Sequence, residues 1–107
     1  MTLFAQRVYD LLRQVPKGGV TTYKALAEAM GTRAYRAIGQ VLRRNPNAPV
    51  IPCHRVVKAN GELGGFMGQK DGEILDSKIE LLKQEGVMVV DNRILNFQDI
   101  FFDDFKG

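Results

Sequence analysis

Residues 20–46 read VTTYKALAEAMGTRAYRAIGQVLRRNP, and this stretch decides the fold. Thr22 can open a helix, because its hydroxyl can accept one of the orphan backbone N–H groups of a first turn. Ala25, Leu26, Ala29 and Met30 then recur at helical spacing as an inner face. Gly31 suits the left-handed position that ends a helix. Thr32 predicts a second cap, for a helix over Arg33 to Arg44 that Asn45-Pro46 closes. Its apolar side is Ala34, Ala37, Ile38, Val41 and Leu42; its other side carries Arg33, Arg36, Gln40, Arg43 and Arg44. Helix, short Gly-Thr turn and basic helix is the layout of a helix-turn-helix, whose second helix lies against nucleic acid. Helix pairs that bind nothing share the same layout.

Outward from this core, residues 2–15 predict an amphipathic helix. Thr2 is its cap, and Phe4, Val8, Leu11, Leu12 and Val15 form its apolar side. Pro16-Lys17-Gly18-Gly19 stops it. Downstream, Pro49 to Val57 predicts a buried loop and short strand, and Lys58 to Gly61 a turn. Gly64-Gly65-Phe66-Met67-Gly68 is a glycine-rich loop. Asp71 or Asp76 starts a helix ending near Glu85-Gly86, with Ile74, Leu75, Ile79, Leu81 and Leu82 inward. Residues 87–90 and 94–97 flank Asp91-Asn92-Arg93, a hairpin signal, and 98–105 form an acidic, aromatic tail, helical or frayed. With no repeat, linker or low-complexity segment, residues 1–107 are expected to form one domain. The expected class is mostly α with small β elements, a winged-helix-like helix-turn-helix DNA-binding domain.

Composition narrows the function. The 107 residues are 45% apolar and 25% charged, ordinary values for a globular chain. No apolar run approaches the ~20 residues of a membrane helix, and the first residues lack the blocks of a signal peptide. A single cysteine cannot form an internal disulfide, which fits a reducing setting, expected to be cytoplasmic, or nucleoid or nuclear where the DNA is. One Cys and one His also exclude a zinc site of the usual four-ligand kind. No metal or other cofactor is expected. Net charge is only +3, yet no acidic residue stands between Glu28 and Glu62. Arg33, Arg36, Arg43, Arg44, Arg55 and Lys58 fall in that interval. Such a section suits a polyanionic partner or a solvated helix face.

The chemistry-bearing group is Cys53, followed directly by the only histidine, His54. A thiolate is a soft nucleophile suited to saturated carbon. A free thiol is largely protonated near neutral pH, so a neighbouring base or positive field must raise the thiolate fraction. His54 and Arg55 are at hand, and Glu85 on the far helix can orient His54 as carboxylates do in triads. Adjacent side chains on an extended chain point to opposite faces, so Cys53 and His54 would need a turn or a bridging water to meet. A small buried Cys beside a structural His would give the same sequence. The glycine loop lacks the Lys-Ser or Lys-Thr of a phosphate cradle. It reads as a lid with Phe66 stacking on a flat ligand, or as an ordinary loop.

The run Ile51-Pro52-Cys53-His54-Arg55-Val56-Val57 resembles the active-site signature of the O6-alkylguanine-DNA alkyltransferases, the methylated-DNA–protein-cysteine methyltransferases. Val20 to Ala27 resembles that family's lead into its helix-turn-helix. Arg36 to Pro46 resembles its recognition helix and asparagine hinge, Asn60 to Phe66 its substrate loop, and Glu85-Gly86 the end of the helix that completes its triad. The resemblance covers residues 2–97, in order, and corresponds to the family's C-terminal active domain without the further N-terminal domain it usually has.

That resemblance implies a protein, acting as a monomer, that binds double-stranded DNA containing O6-alkylguanine through the minor groove. Arg36 would fill the gap left by an extruded base, and Tyr23 would assist rotation and protonate the guanine. Thr22, Ala34, Arg43 and Arg55 would join them against the DNA. Glu85, His54 and a water would draw the proton from Cys53, which takes the alkyl group once and irreversibly. Asn45 would hold the turn carrying the active strand. Val56 with Gly65, Phe66, Met67 and Gly68 would line the guanine pocket. Phe66 replaces a usual tyrosine, and Met67 a usual small residue. A second class, the alkyltransferase-like proteins, binds alkylated DNA and recruits repair factors without transfer. It usually lacks the reactive cysteine, so Cys53 favours the enzyme.

Overall fold

The computed structural model describes residues 2–46, 50–64 and 72–106, with side chains from residue 76 onward in the last segment. Gly65, Phe66, Met67 and Gly68 of the expected pocket, the alternative helix start Asp71, and the side chains of Ile74 and Leu75 lie outside the described residues. Helix α1 spans Leu3–Leu12, and the Thr2 hydroxyl accepts from the Ala5 N–H at 3.0 Å. A two-residue strand β1 (Thr21–Thr22) runs directly into α2 (Tyr23–Ala29). The Thr22 hydroxyl caps that helix by accepting from the Ala25 N–H at 3.0 Å. Gly31 follows at φ +68, the left-handed turn that only glycine takes without strain. Helix α3 (Tyr35–Arg43) completes the helix-turn-helix, and α1 packs across both of its helices.

The second half wraps around this unit. A single 3₁₀ turn, Cys53–Arg55, leads into β2 (Val56–Val57). Strand β2 pairs in parallel with β1, Thr21 opposite Val56 and Thr22 opposite Val57. This pairing places the start of α2 beside the cysteine turn. Helix α4 (Gly72–Gln84) packs against that turn. Strands β3 (Val89–Val90) and β4 (Arg93–Ile94) form the expected hairpin, with Asp91 and Asn92 both at positive φ as its tight turn demands. A short helix α5 (Phe97–Ile100) and an extended tail close the chain, the tail hydrogen-bonding Val20 through Ile100 and Phe102.

Two apolar clusters meet at the β1–β2 seam. One gathers Val8, Leu11, Leu12, Val15, Leu26, Ile38 and Leu42 with Ile51, Cys53 and Val56. The other gathers Val20, Val57, Leu63, Leu82, Val87 and Ile94. Cys53 is thus part of the wall of the main core.

Three expectations are corrected. Helix α3 begins at Tyr35, not Arg33: the Thr32 hydroxyl accepts from the Ala34 N–H at 3.1 Å and closes a local turn instead of a helix cap. Ala37 is exposed and Ala34 only half-buried, so the inner stripe of α3 is narrower than drawn, with Ile38 and Leu42 carrying the burial. The chain at Cys53-His54 is a turn, not an extended segment, so the opposite-faces argument does not apply there.

Candidate active site and nucleic-acid face

The turn that carries Cys53 is set from both sides. Asn45, buried at the end of α3, donates its side-chain amide to the Ile51 carbonyl at 2.7 Å. The Cys53 N–H returns to that same carbonyl at 2.8 Å, and the Arg55 N–H to the Pro52 carbonyl at 3.0 Å. Cys53 itself is only 6% exposed. Burial pushes its thiol up, while a hydrogen bond from Asn45 and the charge of Lys78 pull it back down.

His54 is fully buried beside it. Its Nε2 stands 3.1 Å from Glu85 Oε2. With Nε2–H donating to the carboxylate, Nδ1 carries the lone pair and is the basic nitrogen. Among the described residues, no hydrogen-bond partner reaches buried Nδ1. Burial holds His54 below its ordinary value, partly offset by Glu85, so the ring is neutral at pH 7 and able to accept a proton.

Glu85 is clamped in turn. The Arg55 guanidinium donates to it as a fork, Nε to Oε1 at 2.9 Å and Nη2 to Oε2 at 2.6 Å, while Nη1 donates to the Val15 carbonyl at 2.7 Å. Burial works to raise the Glu85 carboxyl, and the bonds from Arg55 and His54 outweigh it, leaving the group below its usual range. Arg55, expected against DNA, is therefore turned inward, 15% exposed at its side chain. Its geometry is that of a residue positioning the carboxylate.

Tyr23, at the first position of α2, is half-buried. A Cβ placed on Gly64 would lie 3.9 Å from its hydroxyl, so the phenol faces the root of the glycine loop. Burial and the nearby Cys53 both raise its pKa, keeping it a proton donor. Cys53, His54, Glu85, Tyr23 and Asn45 lie in one region of the fold, although they come from four separate stretches of the chain. Of the residues expected on the DNA face, Arg36 and Arg43 are exposed on α3 with Gln40, and Arg33 and Arg44 are exposed just outside its two ends. Thr22 is buried, its hydroxyl used as a cap.

Lys78 is the residue the sequence reading missed. It is 0% exposed, with Nζ donating to the Val56 carbonyl at 2.8 Å and the Leu63 carbonyl at 2.6 Å. Its signal was available: Lys78 stands four residues before Leu82 and four after Ile74, on the apolar stripe of α4.

Comparison with known proteins agrees with this geometry. The family model described as "6-O-methylguanine DNA methyltransferase, DNA binding domain" matches residues 3–87. The chain belongs to this family. Among its relatives, the methylated-DNA–protein-cysteine methyltransferase of Metallosphaera sedula is 45% identical over 86 residues, covering 80% of this chain and 51% of the relative. The crystal structure of Mycobacterium tuberculosis OGT in complex with DNA superposes with a TM-score of 0.67 at 35% identity, covering 79% of this chain and 50% of that one. S. pombe ATL in complex with DNA superposes at 0.77 over 95% of this chain and 98% of its own, at 23% identity, a likeness of fold. The chain spans about half or less of the length of the curated relatives it matches. No helix among its described residues is long and apolar enough to cross a membrane.

Proposed function

We propose that this domain repairs O6-alkylguanine in duplex DNA by moving the alkyl group irreversibly to Cys53. One observation carries the reading: the chain's only histidine is held through Nε2 by a clamped Glu85, leaving buried Nδ1 as a base next to the only thiol. A structural histidine would have both nitrogens satisfied.

The O6 atom lies inside the base stack, so the nucleotide must be rotated out before a buried thiol can reach it. The exposed arginines of α3 hold the phosphates, and Arg36 occupies the space the base leaves. His54 Nδ1, through a bridging water, accepts the Cys53 proton as the sulfur begins to attack. The S–C bond forms, the C–O6 bond breaks, and the electron pair leaves on O6. Tyr23 protonates the departing guanine, which leaves neutral, and the proton that His54 took from Cys53 returns to the Tyr23 phenolate. Glu85 stabilises the imidazolium that appears on the way. The thioether has no route back, so each molecule acts once.

Incubation with duplex DNA containing O6-methylguanine should add the mass of one methylene group to the peptide containing Cys53. Measurable binding with Cys53 unmodified would place the chain with the alkyltransferase-like sensors instead. Arg36→Ala should weaken duplex repair, by roughly 1–3 kcal/mol if the side chain is inserted in the groove, and leave reaction with the free base O6-benzylguanine nearly unchanged. Equal losses on the two substrates would remove Arg36 from base extrusion.

A further inference from the structure

We propose that Thr21 is a positioning residue for the alkyl transfer: its buried hydroxyl and His54 Nδ1 hold between them the water that carries the Cys53 proton. This rests on His54 serving Cys53 as its base. Among the described residues, Thr21 Oγ1 and His54 Nδ1 are buried side-chain atoms that no hydrogen-bond partner reaches. Thr21 is 0% and His54 1% exposed. A buried polar atom without a partner costs free energy. Valine would avoid that cost at position 21 and suits a strand equally well.

Register puts the hydroxyl on the side of the nucleophile. Paired residues of neighbouring strands project to the same face of a sheet, and consecutive residues to opposite faces. Thr21 pairs with Val56, which packs in the cluster containing Cys53. The preceding Val20 packs in the other cluster with Val57, the partner of Thr22. Thr21 therefore projects toward the Cys53 side of the β1–β2 seam. The segment leading into β1 also borders the relay. Arg55 Nη1 donates to the Val15 carbonyl at 2.7 Å, and a Cβ on Gly18 would lie 3.4 Å from the Glu85 carbonyl. Capping does not occupy Thr21, because the hydroxyl that caps α2 is that of Thr22.

A buried water is held by about three polar partners. Sulfur and imidazole supply two of them, and Thr21 supplies the third. The water accepts from the Cys53 thiol and from the Thr21 hydroxyl, and donates to His54 Nδ1. As the S–C bond forms and the C–O6 bond breaks, the thiol proton passes to the water while a water proton passes to Nδ1. The water is regenerated, and Thr21 keeps its own proton throughout. Its hydroxyl fixes where the proton shuttle stands.

His54 is the only histidine, so its ring gives unambiguous NMR signals. In the unaltered protein, nuclear Overhauser contacts from a long-lived water should reach both the Thr21 methyl and the His54 Hε1 proton. Absence of a common water overturns the proposal. In Thr21→Val, the Nδ1 signal should move to that of a nitrogen accepting no hydrogen bond. Alkylation of Cys53 by iodoacetamide at pH 7 should slow about threefold to tenfold, the weight of one hydrogen bond. Thr21→Ser restores the hydroxyl and should return both readouts to the wild-type values. A valine variant that melts as a folded protein with the wild-type signal and rate would overturn the assignment, as would a serine variant no better than valine. Should the valine variant not fold, the water contacts of the unaltered protein decide alone. None of these readouts uses DNA, so failure to take a methyl group from O6-methylguanine would count against repair and be seen separately.

Discussion

Cys53→Ser should abolish alkyl transfer, by at least about 10⁴-fold, while leaving a folded protein. The hydroxyl is smaller than the thiol and can keep the hydrogen bond from Asn45, so the turn has no reason to move. The chemistry does not survive, because a serine hydroxyl ionises far less readily than a thiol and its oxygen is a hard nucleophile poorly matched to an alkyl carbon. Affinity for duplex DNA containing O6-methylguanine should stay within about 0.5 kcal/mol, the usual range for a change that touches no contact surface. Mass spectrometry and a binding titration on the same sample read both. Methyl gained anywhere on the variant, or binding lost with the fold intact, would contradict the assignment of Cys53 as nucleophile and not anchor.

Glu85→Gln should be the next most damaging change, and for two separable reasons. The glutamine cannot accept from His54 and from the Arg55 fork with the strength of a carboxylate, and it leaves the guanidinium in a pocket only 15% exposed without its counter-ion. Breaking one half of such a pair costs about 3 kcal/mol or more. Glu85 also raises His54 against the effect of burial; without it the imidazole becomes a weaker base. Transfer should fall by about 10²–10⁴, the span of general base catalysis. Adding Arg55→Met should restore much of the melting temperature and none of the transfer. Recovery of both together would mean that Glu85 acts only as a structural partner.

The same pair fixes a pH response. The folded His54 titrates below the 6.5 of an exposed ring. As pH falls through that value the unfolded chain takes up a proton that the folded one refuses, and stability declines. Glu85 has the opposite origin and the same sign: its folded value is lowered, so its contribution is present above the unfolded value and is lost as pH falls through the folded one. Chemical denaturation between pH 7 and 4 should therefore show progressive loss in the wild type. The Glu85→Gln variant should show a shallower loss at the acid end.

Much of this was legible in the sequence, where local rules act alone. The caps at Thr2 and Thr22, the left-handed Gly31 and the Asp91-Asn92 turn are each decided by one residue and its immediate neighbours. Thr32 was misread because a hydroxyl two residues upstream of an N–H can close a turn as readily as cap a helix, and spacing alone does not choose. Arg55 was misread for a different reason. A guanidinium in a basic stretch looks like a phosphate ligand until folding brings a carboxylate from 30 residues away to meet it. Lys78 escaped because a lysine on an apolar stripe is normally a long stem reaching for solvent. Here the stripe faces two carbonyls that local periodicity does not reveal.

The parallel pairing of β1 with β2 bears on how the chain is made safe before it is finished. Thr21 and Val56 become neighbours only after both helices of the DNA-binding unit have been enclosed between them. Closing a loop of that length is an entropic barrier, crossed late and cooperatively. The carboxylate that orients the histidine arrives later still along the chain. A nascent or misfolded molecule therefore displays an ordinary, mostly protonated thiol. On the proposed function, the base that serves the thiol is assembled only when the fold is complete, so a nucleophile used once would not be spent on passing electrophiles during synthesis.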